Sequence, residues 1–257
     1  MKFIDTHTHL YSEEFKNDIE KVIENAISNN IEKFFLPNID STVILDMLML
    51  EAKYPGICYP LMGLHPCYVK ENYETEMASV LEWLNKRHFC AIGEIGLDYY
   101  WDTTYKEQQI LCFSTQMQWA LDRNLPIVIH SRNATTETID TVKPFADKGL
   151  KGIFHCFGGT VEEANSIIDM NFLLGIGGVC TYKKSGMEEV LKHIDLKHIV
   201  LETDAPYLTP VPYRGKRNES AYIKIIAEKI VEIKGCTMEE VAAVTTANAM
   251  KIFRIDD

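Results

Sequence analysis

Short apolar, β-branched runs return at near-regular intervals along the 257-residue chain. They fall at 2–7, 31–39, 57–66, 89–98, 126–132, 151–157, 171–178 and 198–206. Each is apolar nearly throughout rather than alternating, the pattern of parallel strands covered on both faces. The segments between them carry helical spacing instead. Over 13–29, Phe15, Ile19, Val22, Ile23, Ala26 and Ile27 share one side of a stretch rich in Glu and Lys, and over 105–124 Ile110, Phe113, Met117, Ala120 and Leu121 do the same. Strand–helix alternation repeated eight times predicts an α/β fold, a (β/α)8 TIM barrel. No linker or charge run divides the chain, so residues 1–257 read as one domain. The main rival, an open doubly wound sheet, usually carries a Gly-rich GxGxxG turn after its first strand, and none is present.

The polar residues that interrupt these runs share a position. His7 and His9 close the first run, His65 the third, Glu94 and Asp98 the fourth, His130 the fifth, His155 the sixth, and Glu202 and Asp204 the eighth. On a strand, residues two apart project to the same face, which places Asp5, His7 and His9 together. The C-terminal ends of barrel strands meet at one rim, where active sites are built. Any one of these residues has a structural explanation, such as a satisfied core histidine at "VIH" or a capped turn at "GLHP". Their recurrence at the same end of strand after strand points to metal-dependent catalysis. The other histidines, His88, His193 and His198, precede strands and are expected at the far rim or in loops. Imidazole and carboxylate donors suit Zn²⁺, Mn²⁺ or Fe²⁺ better than Ca²⁺. Six candidates, His7, His9, Glu94, His130, His155 and Asp204, exceed the needs of a single zinc and fit two ions sharing a carboxylate. Glu94, on the central fourth strand, is the expected bridge. Glu202 shares a face with Asp204 and is expected to orient a ligand histidine.

Charge and cysteine usage narrow the setting. The formal net charge of −11 excludes generic binding to nucleic acid or anionic membrane, leaving only local cations or bound metal to hold a polyanion. Lys183 and Lys184 after the seventh strand, and Arg214, Lys216 and Arg217 after the eighth, fall in rim loops suited to that role. Tyr99, Tyr100 and Trp101 after the fourth strand are placed to stack on bases or to pack. Seven cysteines with no CxxC read as reduced thiols. No apolar run approaches ~18 residues and no signal-peptide core is present, so a cytoplasmic, non-membrane protein is expected. Nothing in the sequence calls for an obligate protein partner.

Taken in order, "DTHTHL" at 5–10, "GLHP" at 63–66, "GEIGLDYYWD" at 93–102, "HSRNA" at 130–134, "HCFGG" at 155–159, "LETDAPYLTP" at 201–210 and "RNES" at 217–220 resemble the TatD-like metal-dependent deoxyribonucleases of the amidohydrolase superfamily. The resemblance runs from end to end. It implies hydrolysis of DNA phosphodiester bonds, often as an exonuclease, through a two-metal-activated water, with zinc, manganese or magnesium as candidate ions. It implies one ion on His7, His9, Glu94 and Asp204 and a second on Glu94, His130 and His155. Asp204 and Glu94 are the catalytic carboxylates in this reading. His65, Asp98, Arg132, Arg214 and Arg217 are the expected substrate contacts. Three positions depart from the family pattern: Cys67 where a histidine is common, Asn133 for Asp, and Ser220 for Pro. The runner-up is a hydrolase of a small phosphoester, lactone or amide on the same barrel. A metal-retaining binding module is the non-enzymatic alternative.

Overall fold

Eight parallel strands form around one axis in the computed structural model, which describes residues 1–255. They are β1 (Phe3–Asp5), β2 (Ile31–Pro37), β3 (Cys58–Leu61), β4 (Ile92–Asp98), β5 (Ile127–Arg132), β6 (Gly152–Phe154), β7 (Leu173–Ile176) and β8 (Ile199–Leu201). Strands β1 to β3 pair in chain order, as do β4 to β8. A single bridge between Met62 and Ile92 joins the two groups. The barrel closes where the Thr6 N–H donates to the Leu201 carbonyl at 3.0 Å. Helices α1 (Ile19–Ser28), α2 (Ile44–Lys53), α3 (Tyr73–Lys86), α4 (Lys106–Arg123), α5 (Thr135–Ala146), α6 (Val161–Asp169), α7 (Met187–His193) and α8 (Ile223–Lys234) wrap the outside.

Two apolar layers hold this arrangement. Outward strand residues such as Phe34, Ile92, Ile129 and Leu174 pack against the helices. Inward residues Ile4, Phe35, Leu61, Val128, Ile153 and Val200 fill the barrel itself. A ninth helix, α9 (Met238–Phe253), closes the N-terminal mouth, where Phe253 stacks on Phe35 at 3.7 Å. The strand period then carries the interior upward. Two residues beyond Val128 stands His130, two beyond Ile153 stands His155, and two beyond Val200 stands Glu202. An apolar plug thus gives way to ionisable side chains at the C-terminal rim.

The strands are shorter than the apolar runs that announce them. β1 ends at Asp5 and β3 at Leu61, so His7, His9 and His65 lie beyond the ladder. The expectation that Asp5 shares a face with the two histidines therefore fails. Its carboxylate instead accepts from the Thr203 N–H at 2.9 Å and the Thr203 hydroxyl at 2.6 Å, tying β1 to the loop after β8. The helix expected over 13–29 begins only at Ile19, because Glu13–Phe15 forms a separate 3₁₀ turn. No helix among the described residues is long and apolar enough to cross a membrane.

Candidate metal centre

Glu94 occupies the middle of the rim, buried, with its two carboxylate oxygens facing different partners. Oε2 lies 3.2 Å from His7 Nε2 and 3.7 Å from His9 Nε2. Asp204 Oδ1 completes that side, 3.6 Å from His7 Nε2 and 3.4 Å from His9 Nε2. Oε1 faces His130 Nδ1 at 3.0 Å, His155 Nε2 at 3.0 Å and His65 Nε2 at 3.3 Å. One carboxylate therefore stands between two groups of donors, which reach it from the ends of β1, β3, β5, β6 and β8. The same donors fall into three triads close enough to share an ion: His7–His155–Asp204, His7–His9–Glu94 and His65–Glu94–His130.

The far side of each imidazole decides what its near side can do. Tyr11 gives its hydroxyl proton to the Pro37 carbonyl, so it accepts from His9 Nδ1 at 2.8 Å. His9 Nε2 is then left with a bare lone pair toward Glu94 and Asp204. His130 Nε2 donates to Asp98 Oδ2 at 2.8 Å, and His155 Nδ1 donates to Glu202 Oε1 at 3.2 Å. In the neutral form that a metal ligand requires, both rings thus turn a lone pair toward Glu94. His65 is wired the other way. Its Nδ1 accepts the Cys67 N–H at 3.0 Å, which puts the proton of the neutral ring on Nε2. His65 therefore presents a donor to Glu94 and lacks the lone pair a ligand needs, although its position would allow ligation.

The electrostatics follow from crowding. Burial by itself would raise the Glu94 carboxyl, but His65, His155 and His7 overcome it and hold the group well below the usual range. Burial pushes His7 down, and the His155 ring stacked on it at 3.7 Å adds to the effect. His155 goes up despite burial, because Glu94 and Glu202 both favour its charged form. The cluster thus draws positive charge inward. His7 is fully buried: its Nδ1 has no hydrogen-bond partner, and its Nε2 faces the Glu94 and Asp204 carboxylates without hydrogen-bond geometry. An imidazole desolvated without a partner is costly, of order 1–3 kcal/mol. The unpartnered nitrogen, the convergent carboxylates and the bare lone pairs of His9, His130 and His155 fit a divalent cation by donor chemistry.

The expected substrate contacts separate on inspection. Arg132 is exposed at the rim, its guanidinium 3.9 Å from the Tyr100 ring centroid. Arg214 is exposed and lies over Tyr182 at 4.3 Å. Asp98 is a correction: it is buried, and beyond His130 it accepts the backbone N–H groups of Tyr100 and Trp101, leaving no carboxylate face for substrate. Arg217 is a second correction. Its guanidinium forks onto Asp18 at 2.8 and 2.7 Å and also binds Glu219 and the Glu14 carbonyl, pinning the loop before α8 to the start of α1. Cys156, next to His155, does not continue the strand. It lies past the end of β6 with φ of 48°, lines a rim cavity, and donates its N–H to Glu202 at 2.5 Å. Burial pushes the Cys67 and Cys156 thiols up to about 12, which removes them as nucleophiles. Tyr11 went unmarked in the sequence, where the only signal is an aromatic two residues after His9.

Comparison with known proteins gives a consistent picture. Residues 4–254 match the family described as TatD related DNase. The chain is 40% identical over 253 residues to the "Uncharacterized metal-dependent hydrolase YabD" of Bacillus subtilis (strain 168), covering 98% of this chain and 99% of that one. It is 31% identical over 258 residues to the "3'-5' ssDNA/RNA exonuclease TatD" of Pantoea vagans (strain C9-1), covering 98% and 99%. Among solved structures, the TatD homologue YjjV of Escherichia coli K12 superposes with a TM-score of 0.93 at 25% identity, covering 99% of this chain and 98% of that one.

Proposed function

Because this chain belongs to the TatD related DNase family and is a metal-dependent hydrolase, we propose that it cleaves phosphodiester bonds of DNA as an exonuclease, with two divalent ions held around Glu94. The observation that supports this most is the division of the Glu94 oxygens between two groups of donors. In this reading His7, His9, Asp204 and Glu94 would hold one ion, and Glu94, His130 and His155 the other. When bound, such ions supply Lewis acidity that lowers the pKa of water and offsets phosphate charge.

The chain's own groups carry the rest. Asp204 stands beside His7 and His9 on the water-facing side of the cluster and takes the proton from the attacking water. The new oxygen–phosphorus bond forms as the bond to the leaving sugar oxygen breaks. His65, with its proton on Nε2, is placed to give a hydrogen bond to a phosphate oxygen, and the leaving sugar oxygen takes up the proton that Asp204 removed from the water. Tyr11, Asp98 and Glu202 fix the three imidazoles so that no reorientation is needed during the reaction. Single-stranded substrate is favoured by the likeness to the Pantoea relative, which is named an ssDNA/RNA exonuclease. Cytoplasmic location is part of this reading, and seven free thiols, four of them only partly buried, accord with it.

Stripping the protein with chelator and restoring Zn²⁺, Mn²⁺ or Mg²⁺ separately tests the proposal on single-stranded DNA, duplex DNA, RNA and a chromogenic phosphodiester. Release of nucleotides from DNA only in the restored samples is expected. Hydrolysis of the chromogenic compound with every nucleic acid left intact would instead favour a small phosphoester, lactone or amide as substrate.

A further inference from the structure

We propose that Trp101, Tyr100 and Arg132 form a stacking platform for an unpaired nucleobase next to the scissile phosphate, an inference that rests on the nuclease reading above. Trp101 is 68% exposed and Tyr100 51%, although each ring could bury large apolar area elsewhere. They do not wave freely. The rings meet edge to face with centroids 4.8 Å apart, and the Arg132 guanidinium lies 3.9 Å from the Tyr100 centroid and 5.3 Å from that of Trp101. Asp98 Oδ1 accepts both backbone N–H groups of this turn, from Tyr100 at 2.9 Å and Trp101 at 3.2 Å. Its Oδ2 holds His130 at 2.8 Å. A single carboxylate thus fixes the platform relative to an imidazole that faces Glu94.

The exposed faces of the platform select the occupant. Arg132 joins it to the site, since with His155 it lines a rim cavity of about 880 Å³ that neither Tyr100 nor Trp101 enters. Two exposed rings and a stacked guanidinium suit a neutral, planar group. A nucleobase is such a group, and both indole and guanidinium offer faces on which any base stacks. Stacking needs a free base face. Inside a duplex both faces are covered, so the platform takes a base that is unpaired or at a frayed end.

The test compares a single-stranded oligonucleotide with an abasic oligomer of the same length and phosphate number. In chelator-treated protein, the base-bearing strand should quench tryptophan fluorescence and the abasic strand should not. Trp101→Phe should lose most of that quench, since Trp83 and Trp119 are only partly exposed and remain. With metal restored, Trp101→Ala, Tyr100→Ala and Arg132→Gln should each lower the ratio of kcat/KM for base-bearing over abasic substrate about tenfold or more. The three variants alter different elements, so a folding failure in one leaves the others informative. Ratios unchanged in the folded variants, with quenching blind to bases, would overturn the platform while leaving the nuclease intact. Wild-type protein that hydrolyses a chromogenic phosphodiester but neither oligomer would overturn the nuclease reading, and the platform with it.

Discussion

At the scale of single residues, the centre is defined less by which histidines are present than by where their protons sit. His130 keeps its proton on the nitrogen that meets Asp98, whereas His65 is forced by the Cys67 N–H to carry its proton toward Glu94. Variants at the two positions should therefore differ in kind. His130→Ala should lower bound metal to about one ion per chain. His65→Ala should keep both ions and lose activity by about 10²–10³-fold, as expected for a lost hydrogen-bond donor to the transition state. Metal analysis beside kcat on the same preparations checks this, and loss of an ion from His65→Ala would make that residue a ligand. The sequence announced nearly every polar side chain of the cluster, because ionisable residues at the end of apolar runs stand out. Some roles were legible too, such as Glu202 holding a ligand histidine, but others were not. Asp98 reads as a substrate contact and is a buried partner of His130, and Tyr11 is marked only by its place two residues after His9. Hydrogen-bond direction belongs to neighbours brought together only by the fold.

At the scale of elements, the site depends on how closely β4 and β5 approach. Gly96 sits at φ of 146°, and a Cβ there would strike the carbonyl oxygen of His130. Gly96→Ala should destabilise the metal-free protein by about 1–3 kcal/mol or more through that overlap, read as a lower urea midpoint. A midpoint equal to wild type would contradict so close an approach of the two strands. The Arg217 fork is the other element-level device. Arg217→Ala should cost about 1 kcal/mol as a partly exposed ion-pair network, seen in the same unfolding experiment. Eight strands were legible because parallel strands are apolar on both faces. Their C-terminal ends were not, since His7, His65 and Asp204 continue the run while the backbone has already left the ladder. Asp204 itself adopts φ of 56°, a conformation the apolar pattern around it gives no sign of.

At the scale of the whole molecule, the nuclease reading requires a chain of net charge −11 to hold a polyanion against its own field. With Arg217 engaged by Asp18 and Glu219, Arg214 and Lys216 are the exposed cations left in that loop. Phosphate contacts contribute ~0.7 each to the salt slope for single strands, so the double Ala variant should flatten it by up to about 1.4. An unchanged slope would move the DNA track toward Lys183 and Lys184. The aspect of the molecule that matters most is convergence, since donors from positions 7 to 204 of the chain meet around one carboxylate. Calorimetric titration of chelator-treated protein with Zn²⁺ measures this directly. The wild type should bind two ions per chain, and Glu94→Ala, still folded by circular dichroism, should bind neither tightly. Two tightly bound ions in Glu94→Ala would contradict a centre built on that bridge.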